Sequence, residues 1–335
     1  MQHRELGRSG IEASAVTLGT WAIGGWLWGG TDRVQARRAI EAALDAGIDA
    51  VDTAPIYGFG LSEEIVGEAV RGRRDRVVIM TKCGMVWDRE QGEHFFDTDE
   101  RGPGGPGPAL RVFRCLKPES IRDEVEASLR RLGTDYIDLY QTHWQDPTTP
   151  IAETMDALLA LKAEGKIRAI GVSNATAAQI AEYRRRGQVD ADQEKFGMLD
   201  RKAEASTLPY CRKHSLAFLA YSPLARGLLT GKVVPGREYA PGDERARLPR
   251  FRSENVRRVL ALLDELRPLA GELGLTLSQL AIAWALARPG CTLALVGART
   301  PGQARENAGA GGIALGGEPM ERIDGILERC RGGIV

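Results

Sequence analysis

Short apolar runs alternate with helix-length amphipathic segments along most of the chain, and the alternation repeats eight times. The runs predict strands over 15–18, 49–53, 77–81, 137–142, 169–172, 191–193, 217–221 and 292–296. Between them, apolar residues at helical spacing predict helices such as 34–46, 62–70, 118–132, 151–164, 176–185 and 277–286. Thr176 has the side chain of a helix N-cap, and Gly47, Gly133 and Gly165 stand where helices end. A β-hairpin precedes the repeat: His3 to Leu6, a turn over Gly7 to Gly10, then Ile11 to Ser14.

Strands separated by helices pair in parallel through right-handed crossovers, and eight such units without a second composition zone close most simply into a (β/α)8 TIM barrel. Such a barrel takes about 250 residues or more, so the 335 residues are expected to form one α/β domain over 1–335, with the hairpin at 1–14 and a helix at the C-terminus. The competing architecture is an open doubly wound sheet. Against it, the first βα turn, Gly19-Thr20-Trp21-Ala22-Ile23-Gly24-Gly25, lacks the GxGxxG spacing that cradles a pyrophosphate. Two stretches break the rhythm, 85–117 after the third strand and 225–253 after the seventh, and both are expected as long loops over the C-terminal mouth. In the first, Phe95 and Phe96 would supply apolar wall over substrate and the Gly-Pro run from Gly102 to Pro108 a hinge; the alternative is a polar surface loop without order.

Hydrophobic residues at 43% and charged residues at 27% suit a folded chain with a large core. Lys plus Arg balance Asp plus Glu at 45 each, which argues against a nucleic-acid backbone or an anionic membrane as partner and for a small molecule. The N-terminal stretch carries no apolar run of the secretory kind, and no stretch of about 18 apolar residues occurs, so a cytoplasmic location is expected. Cys83, Cys115, Cys211, Cys291 and Cys330 lack CxxC spacing, and His3, His94, His143 and His214 lack HxH or HExxH spacing; neither a disulfide framework nor a metal site is expected.

The polar residues at the strand ends carry the chemistry. Asp52 ends the second strand, Tyr57 follows it, Lys82 ends the third and His143 the fourth, so all four converge on one mouth. A phenol with a pKa near 10 is a weak donor at neutral pH, and a buried ammonium beside it is expected to favour the phenolate. The set has the makeup of a general acid with its support: Tyr57 as acid or base, Lys82 tuning it, Asp52 holding Lys82, and His143 polarising a carbonyl oxygen. Taken singly, each residue reads as well as a cap, a solvated cation or a structural imidazole; the combination is what argues for catalysis.

At these residues the chain resembles the aldo-keto reductase superfamily, through Asp52-Thr53-Ala54-Pro55-Ile56-Tyr57-Gly58, Thr81-Lys82, Ile137-Asp138-Leu139-Tyr140-Gln141-Thr142-His143, Gly171-Val172-Ser173-Asn174 and Gly297-Ala298-Arg299-Thr300-Pro301-Gly302-Gln303-Ala304-Arg305-Glu306-Asn307. The match runs from the hairpin to the C-terminal helix. Within the superfamily the chain is similar to the bacterial branch of inositol-locus reductases and to potassium-channel β-subunits. The resemblance implies hydride transfer between NADP(H), with NAD(H) as the alternative cofactor, and a small aldehyde, ketone, sugar or alcohol. It implies that Ser173, Asn174 and Gln193 hold the nicotinamide carboxamide and that Tyr221 stacks on the ring. Ser222, Pro223, Leu224 and Gly227 would line the pyrophosphate, with Gly297, Arg299, Gln303, Glu306 and Asn307 at the adenosine end and Gly19, Thr20, Trp21 and Asp52 completing the contacts.

Two departures from the family pattern bear on this. Glu194-Lys195-Phe196 follows the sixth-strand Gln and is expected to place two charges near the nicotinamide. Gln303 stands where many members carry an arginine, so a preference for NADP(H) would rest on Arg299, just before a helix N-terminus. Two rival functions keep the fold: a regulatory subunit that binds NADP(H) with little turnover, and a lyase or isomerase in which Tyr57 and Lys82 move protons without net redox change. Trp21, Trp26, Trp28, Trp87 and Trp144 are candidates for an aromatic mouth. Neither the substrate nor the oligomeric state is legible.

Overall fold

The structure, a computed structural model, describes the backbone of residues 1–101 and 105–335, and the side chains of all these except 99–101 and 105–108. Among them, Val16–Gly19, Ala50–Asp52, Val78–Cys83, Ile137–Thr142, Ile167–Ser173, Ala191–Lys195, Ala217–Tyr221 and Cys291–Gly297 pair in chain order, every neighbour parallel. Ala294 of the eighth strand lies beside Val16 of the first and closes the barrel. The TIM-barrel expectation holds, with strand ends shifted by a residue or two.

The outer helices include Arg33–Asp45, Leu61–Val70, Pro118–Leu132, Ile151–Ala163, Ala177–Arg186 and Leu277–Ala287, one for each predicted segment. Thr176 forms a capping box with Gln179, satisfying two N-terminal backbone donors at once. Gly133 ends its helix at φ 63°, a left-handed conformation that a Cβ disfavours. Thr207–His214 and Ser253–Glu272 are further helices that the pattern reading did not name.

The inward positions of the strands explain where a site can form. Ala50, Met80, Leu139, Ala191 and Leu219 make an apolar layer low in the barrel, and Leu6, Ile11 and Ala13 of the hairpin His3–Glu5 and Glu12–Ser14 close its floor. Two residues further along the same strands, and therefore again inward, stand Asp52, Lys82, Gln141, Gln193 and Tyr221. The barrel is dry at its base and polar at its C-terminal mouth.

The first of the two long insertions differs from expectation. Residues 85–117 are not a structureless loop: Met85–Val86, Glu93–Arg101 and Gly105–Arg114 form a three-stranded antiparallel sheet. Its high Gly, Pro and charge content hid the strand alternation. A register shift between His94 and Phe96 bends the strand and turns Phe95 and Phe96 towards the same cavity, where simple alternation would have parted them. Within the proposed hinge, 102–104 lie outside the described residues, and Gly105 to Pro108 belong to a strand. The stretch 225–253 is a strap of short turns, Ala225–Thr230, Glu244–Ala246 and Pro249–Phe251, which crosses the mouth to meet the loop after the first strand: Asp243 bridges Trp28, and Glu244 N donates to Leu27 O at 3.1 Å.

Under the mouth, Glu63 of Leu61–Val70 is fully buried, accepting from Thr81 Oγ1 of the third strand at 2.7 Å and from Arg131 Nε of Pro118–Leu132 at 2.6 Å. Removing one member of such a pair leaves the other desolvated and unpaired. Glu63→Ala is expected to lower unfolding stability by about 3 kcal/mol, read as a fall in the urea midpoint; an unchanged midpoint would show that the pair contributes nothing.

Candidate active site

The barrel mouth opens into a cavity of about 810 Å³. At one end stand Asp52, Tyr57 and His143, with Lys82 directly beneath them, enclosed and off the cavity wall. Lys82 Nζ donates to Asp52 Oδ1 at 2.7 Å and to the Thr53 carbonyl at 2.8 Å, and reaches Tyr57 OH at 3.4 Å, the outer limit of a hydrogen bond. The other Asp52 oxygen accepts from Gln193 Nε2 at 2.8 Å and Gln141 Nε2 at 3.3 Å. The Lys82 ammonium and both Asp52 oxygens thus have partners, as charges in a low-dielectric interior require.

The electrostatics differ from the sequence expectation. Burial, and then the Asp52 charge, push the Tyr57 phenol well above its ordinary range. Lys82 does not draw it down, because the ammonium bonds first to Asp52, and burial lowers its own pKa against the pull of that carboxylate. Tyr57 therefore rests protonated. Burial, and then Lys82, hold the His143 imidazole well below its usual value, so it is neutral at physiological pH. Its ring lies edge-on to Tyr57 at 5.7 Å.

Tyr57 is placed by backbone contact. Gly58 has φ 71°, and a Cβ there would lie 2.3 Å from Gly24 O; a Cβ on Gly24 would lie 2.5 Å from Tyr57 O. Two glycines let the turn after the second strand press against the short helix Trp21–Gly24, and Trp21 flanks Tyr57 at 6.4 Å.

The predicted cofactor residues Gly19, Thr20, Trp21, Asp52, Ser173, Asn174, Gln193, Tyr221, Ser222, Pro223, Leu224, Gly227, Gly297, Arg299, Gln303, Glu306 and Asn307 all line this same cavity. Asn174 takes φ 54°; its amide donates to His143 O and accepts from Tyr221 OH at 2.9 Å. Ser173 Oγ donates to Gln193 O at 2.8 Å. After Tyr221, left-handed φ values at Ser222, Ala225, Arg226 and Gly227 curl the backbone in the manner of anion-binding loops. The amide donors at one end, this curl in the middle and a surplus of cations beyond it fit a nicotinamide dinucleotide. The Trp21 and Trp28 indole N–H groups, enclosed on the same wall and without a partner among the described residues, are further donors for a ligand.

Several placements depart from expectation. Arg299 is already engaged: its guanidinium donates to Trp28 O at 3.0 Å and Gly30 O at 2.6 Å, while Gln303 accepts from Arg299 N at 2.8 Å. Of the charges after Gln193, Lys195 lines the cavity but Glu194 turns outward by strand alternation, and Phe196 packs on Trp284. Trp87 stands behind the wall, against Phe59. Sequence reasoning missed Arg226, Lys232, Arg237, Glu244 and Arg245 as lining residues; the arginine-rich composition of 225–253 was the signal. On the substrate side, Phe96 stacks on Trp26 at 5.9 Å and Phe95 packs on Trp144 at 5.3 Å.

A family model described as the Aldo/keto reductase family matches residues 15–328, and the chain belongs to that family of oxidoreductases. It is 44% identical over 321 residues to the NADH-specific methylglyoxal reductase of Escherichia coli (strain K12), covering 94% of this chain and 95% of that one. It is 41% identical over 331 residues to Aldo-keto reductase YhdN of Bacillus subtilis (strain 168), covering 98% and 94%. Among solved structures, the glycerol dehydrogenase AKR11B4 from Gluconobacter oxydans superposes with a TM-score of 0.85 at 40% identity, covering 98% of this chain and 95% of that one.

Gly24→Ala is expected to displace the Tyr57 turn, since a methyl group would press on a backbone carbonyl that cannot yield alone. Overpacking of this kind costs about 1–3 kcal/mol. Measured by thermal unfolding and by turnover together, the variant should lose activity under conditions where it is still folded; full activity would show that the contact does not place Tyr57.

Proposed function

We propose that this chain reduces a small aldehyde, ketone or sugar carbonyl, or oxidises the corresponding alcohol, with Tyr57 as the general acid or base. The observation that carries the reading is the protonated phenol held over an enclosed Lys82–Asp52 pair at the inner end of the cavity. When bound, the nicotinamide supplies or accepts the hydride. Ser173, Asn174 and Gln193 would hold its carboxamide, and Tyr221 its ring; Ser222 to Gly227 would receive the pyrophosphate.

The chain's own residues then do the following. Tyr57 OH donates its proton to the carbonyl oxygen as negative charge develops there. Lys82 lies behind the phenol oxygen and stabilises the phenolate left by that transfer, which raises the charge on the oxygen from partial to full. Asp52 keeps Lys82 charged and fixed. Neutral His143 offers a ring N–H to the same carbonyl oxygen without competing as an acid. Phe95, Phe96, Trp26 and Trp144 exclude water from the carbon skeleton. Buried Cys83, Cys115, Cys211 and Cys291, all unpaired thiols, support a reducing compartment such as the cytoplasm as the place of work.

For the cofactor we propose NADPH ahead of NADH, on the cations Lys232, Arg237, Arg245 and Arg299 that line the cavity beyond the Ser222–Gly227 curl. A second reading, NADH first, is favoured by the engagement of Arg299 with Trp28 and Gly30, and the methylglyoxal reductase relative is described as NADH-specific. Titration calorimetry separates them. On the first reading the wild type binds NADPH more tightly than NADH, and Arg299→Ala lowers that ratio roughly ten- to a hundredfold, the worth of a charged hydrogen bond of about 1.5–3 kcal/mol. Equal or tighter binding of NADH by the wild type selects the second.

Tyr57→Phe is expected to lower carbonyl reduction by about 10²–10⁴-fold with cofactor affinity nearly unchanged. A variant that keeps more than about a tenth of single-turnover activity would remove Tyr57 from the proton-transfer role.

A further inference from the structure

Behind the sixth strand, on the side away from the cavity, lies an acidic pair that the chemistry above does not use. Asp192 is fully enclosed, with Oδ2 3.7 Å from Cys211 Sγ. Glu194 stands two residues on and on the same face of the strand, where its Oε1 accepts from Ala175 N at 2.9 Å. One Asp192 oxygen has no hydrogen-bond donor among the described residues, and the two carboxyl groups stand on the same face of one strand, where each disfavours ionisation of its neighbour. Burial, then the Glu194 charge, hold Asp192 well above its ordinary range, and burial pushes Glu194 up to about 7.

Ala175 N–H is the next backbone donor after Asn174, the residue at φ 54° whose amide bridges His143 O and Tyr221 OH. A carboxylate acceptor at that N–H fixes the turn in which Asn174 sits. We propose that Glu194 is a positioning residue that holds the Asn174 turn and so presents the Asn174 amide to the nicotinamide end of the cavity. This rests on the dinucleotide reading above. The other titratable or charged groups facing the pair are Cys211 of Thr207–His214, Tyr221 of the seventh strand and Arg184 of Ala177–Arg186. Burial drives the Cys211 thiol and the Tyr221 phenol upward, so both stay neutral where Glu194 changes charge.

Burial raises the pKa of Glu194, whereas the bond from Ala175 N–H favours its charged form and pulls the other way. Above its raised pKa, Glu194 is a charged acceptor and the turn is held; as pH falls through it, the neutral acid accepts more weakly and the turn loosens. The probes are NADPH and 2′-phospho-ADP-ribose, which carries the same phosphates but no nicotinamide, titrated calorimetrically against the full chain. In Glu194→Ala, NADPH affinity is expected to fall about tenfold while the fragment's stays unchanged, and Glu194→Gln, which keeps a carbonyl oxygen for Ala175 N–H, should recover most of the loss. In the wild type, the ratio of NADPH to fragment affinity should decline from about pH 8 to about pH 6, and the decline should vanish in Glu194→Gln. The wild-type titration needs no variant to fold. A flat ratio in the wild type, or equal losses for both ligands in Glu194→Ala, would overturn the assignment while leaving the dinucleotide reading intact. Failure of the wild type to bind NADPH, NADH or the fragment would overturn that reading and this inference with it.

Discussion

The arrangement at the mouth depends on one buried ion pair, Lys82 with Asp52. Neither charge is tolerable alone in an enclosed site, since the desolvation of an unpaired ion costs several kcal/mol even after relaxation. Their mutual contact at 2.7 Å, with the Thr53 carbonyl on the ammonium and two glutamine amides on the carboxylate, makes the pair stable where it stands. Lys82, Asp52, Gln141 and Gln193 belong to four barrel strands, so the pair also locks the polar layer of the barrel into one geometry. Tyr57 and His143 owe their protonation first to burial and then to this pair: the Asp52 charge adds to the rise of the phenol, and the Lys82 charge adds to the fall of the imidazole.

Around this fixed centre the chain sets two covers of different character. The three-stranded sheet after the third strand brings aromatic side chains over the substrate end, where their rings pack on Trp26, Phe59 and Trp144. The strap after the seventh strand brings arginines and a lysine over the other end and is tied to the first-strand loop by the Asp243–Trp28 bridge and the Glu244–Leu27 backbone bond, while Arg299 holds the same loop from beyond the eighth strand. An apolar wall beside a proton donor and a cationic strap over a curled backbone suit two ligands with opposite solvation, a carbonyl compound and a dinucleotide.

Much of this was legible in the sequence because the signals were periodic. Eight apolar runs with helices between them admit few closures, and polar residues at the ends of inward strand positions can meet only at one mouth. What escaped reading was contact-dependent. The sheet at 85–114 was hidden by Gly and Pro, and its bulge at Phe95 depends on register with the partner strand. The direction of the Tyr57 shift turns first on the depth at which the phenol is buried and then on the Asp52 charge, and the strand pattern shows neither. The engagement of Arg299 and the outward turn of Glu194 likewise depend on partners remote in the chain: Trp28 and Gly30 for one, Ala175 for the other.

The central claim is that one site delivers hydride from a nicotinamide and a proton from Tyr57 to the same carbonyl. Its most direct test is a single-turnover oxidation of reduced cofactor by a small aldehyde, with the transferable cofactor hydrogen as protium or deuterium, each in light and in heavy water. The account predicts that deuterium in the cofactor and deuterium in the solvent each slow the reaction, and that the solvent effect disappears in Tyr57→Phe. Cofactor that is not oxidised, or that is oxidised with neither isotope effect, would contradict it.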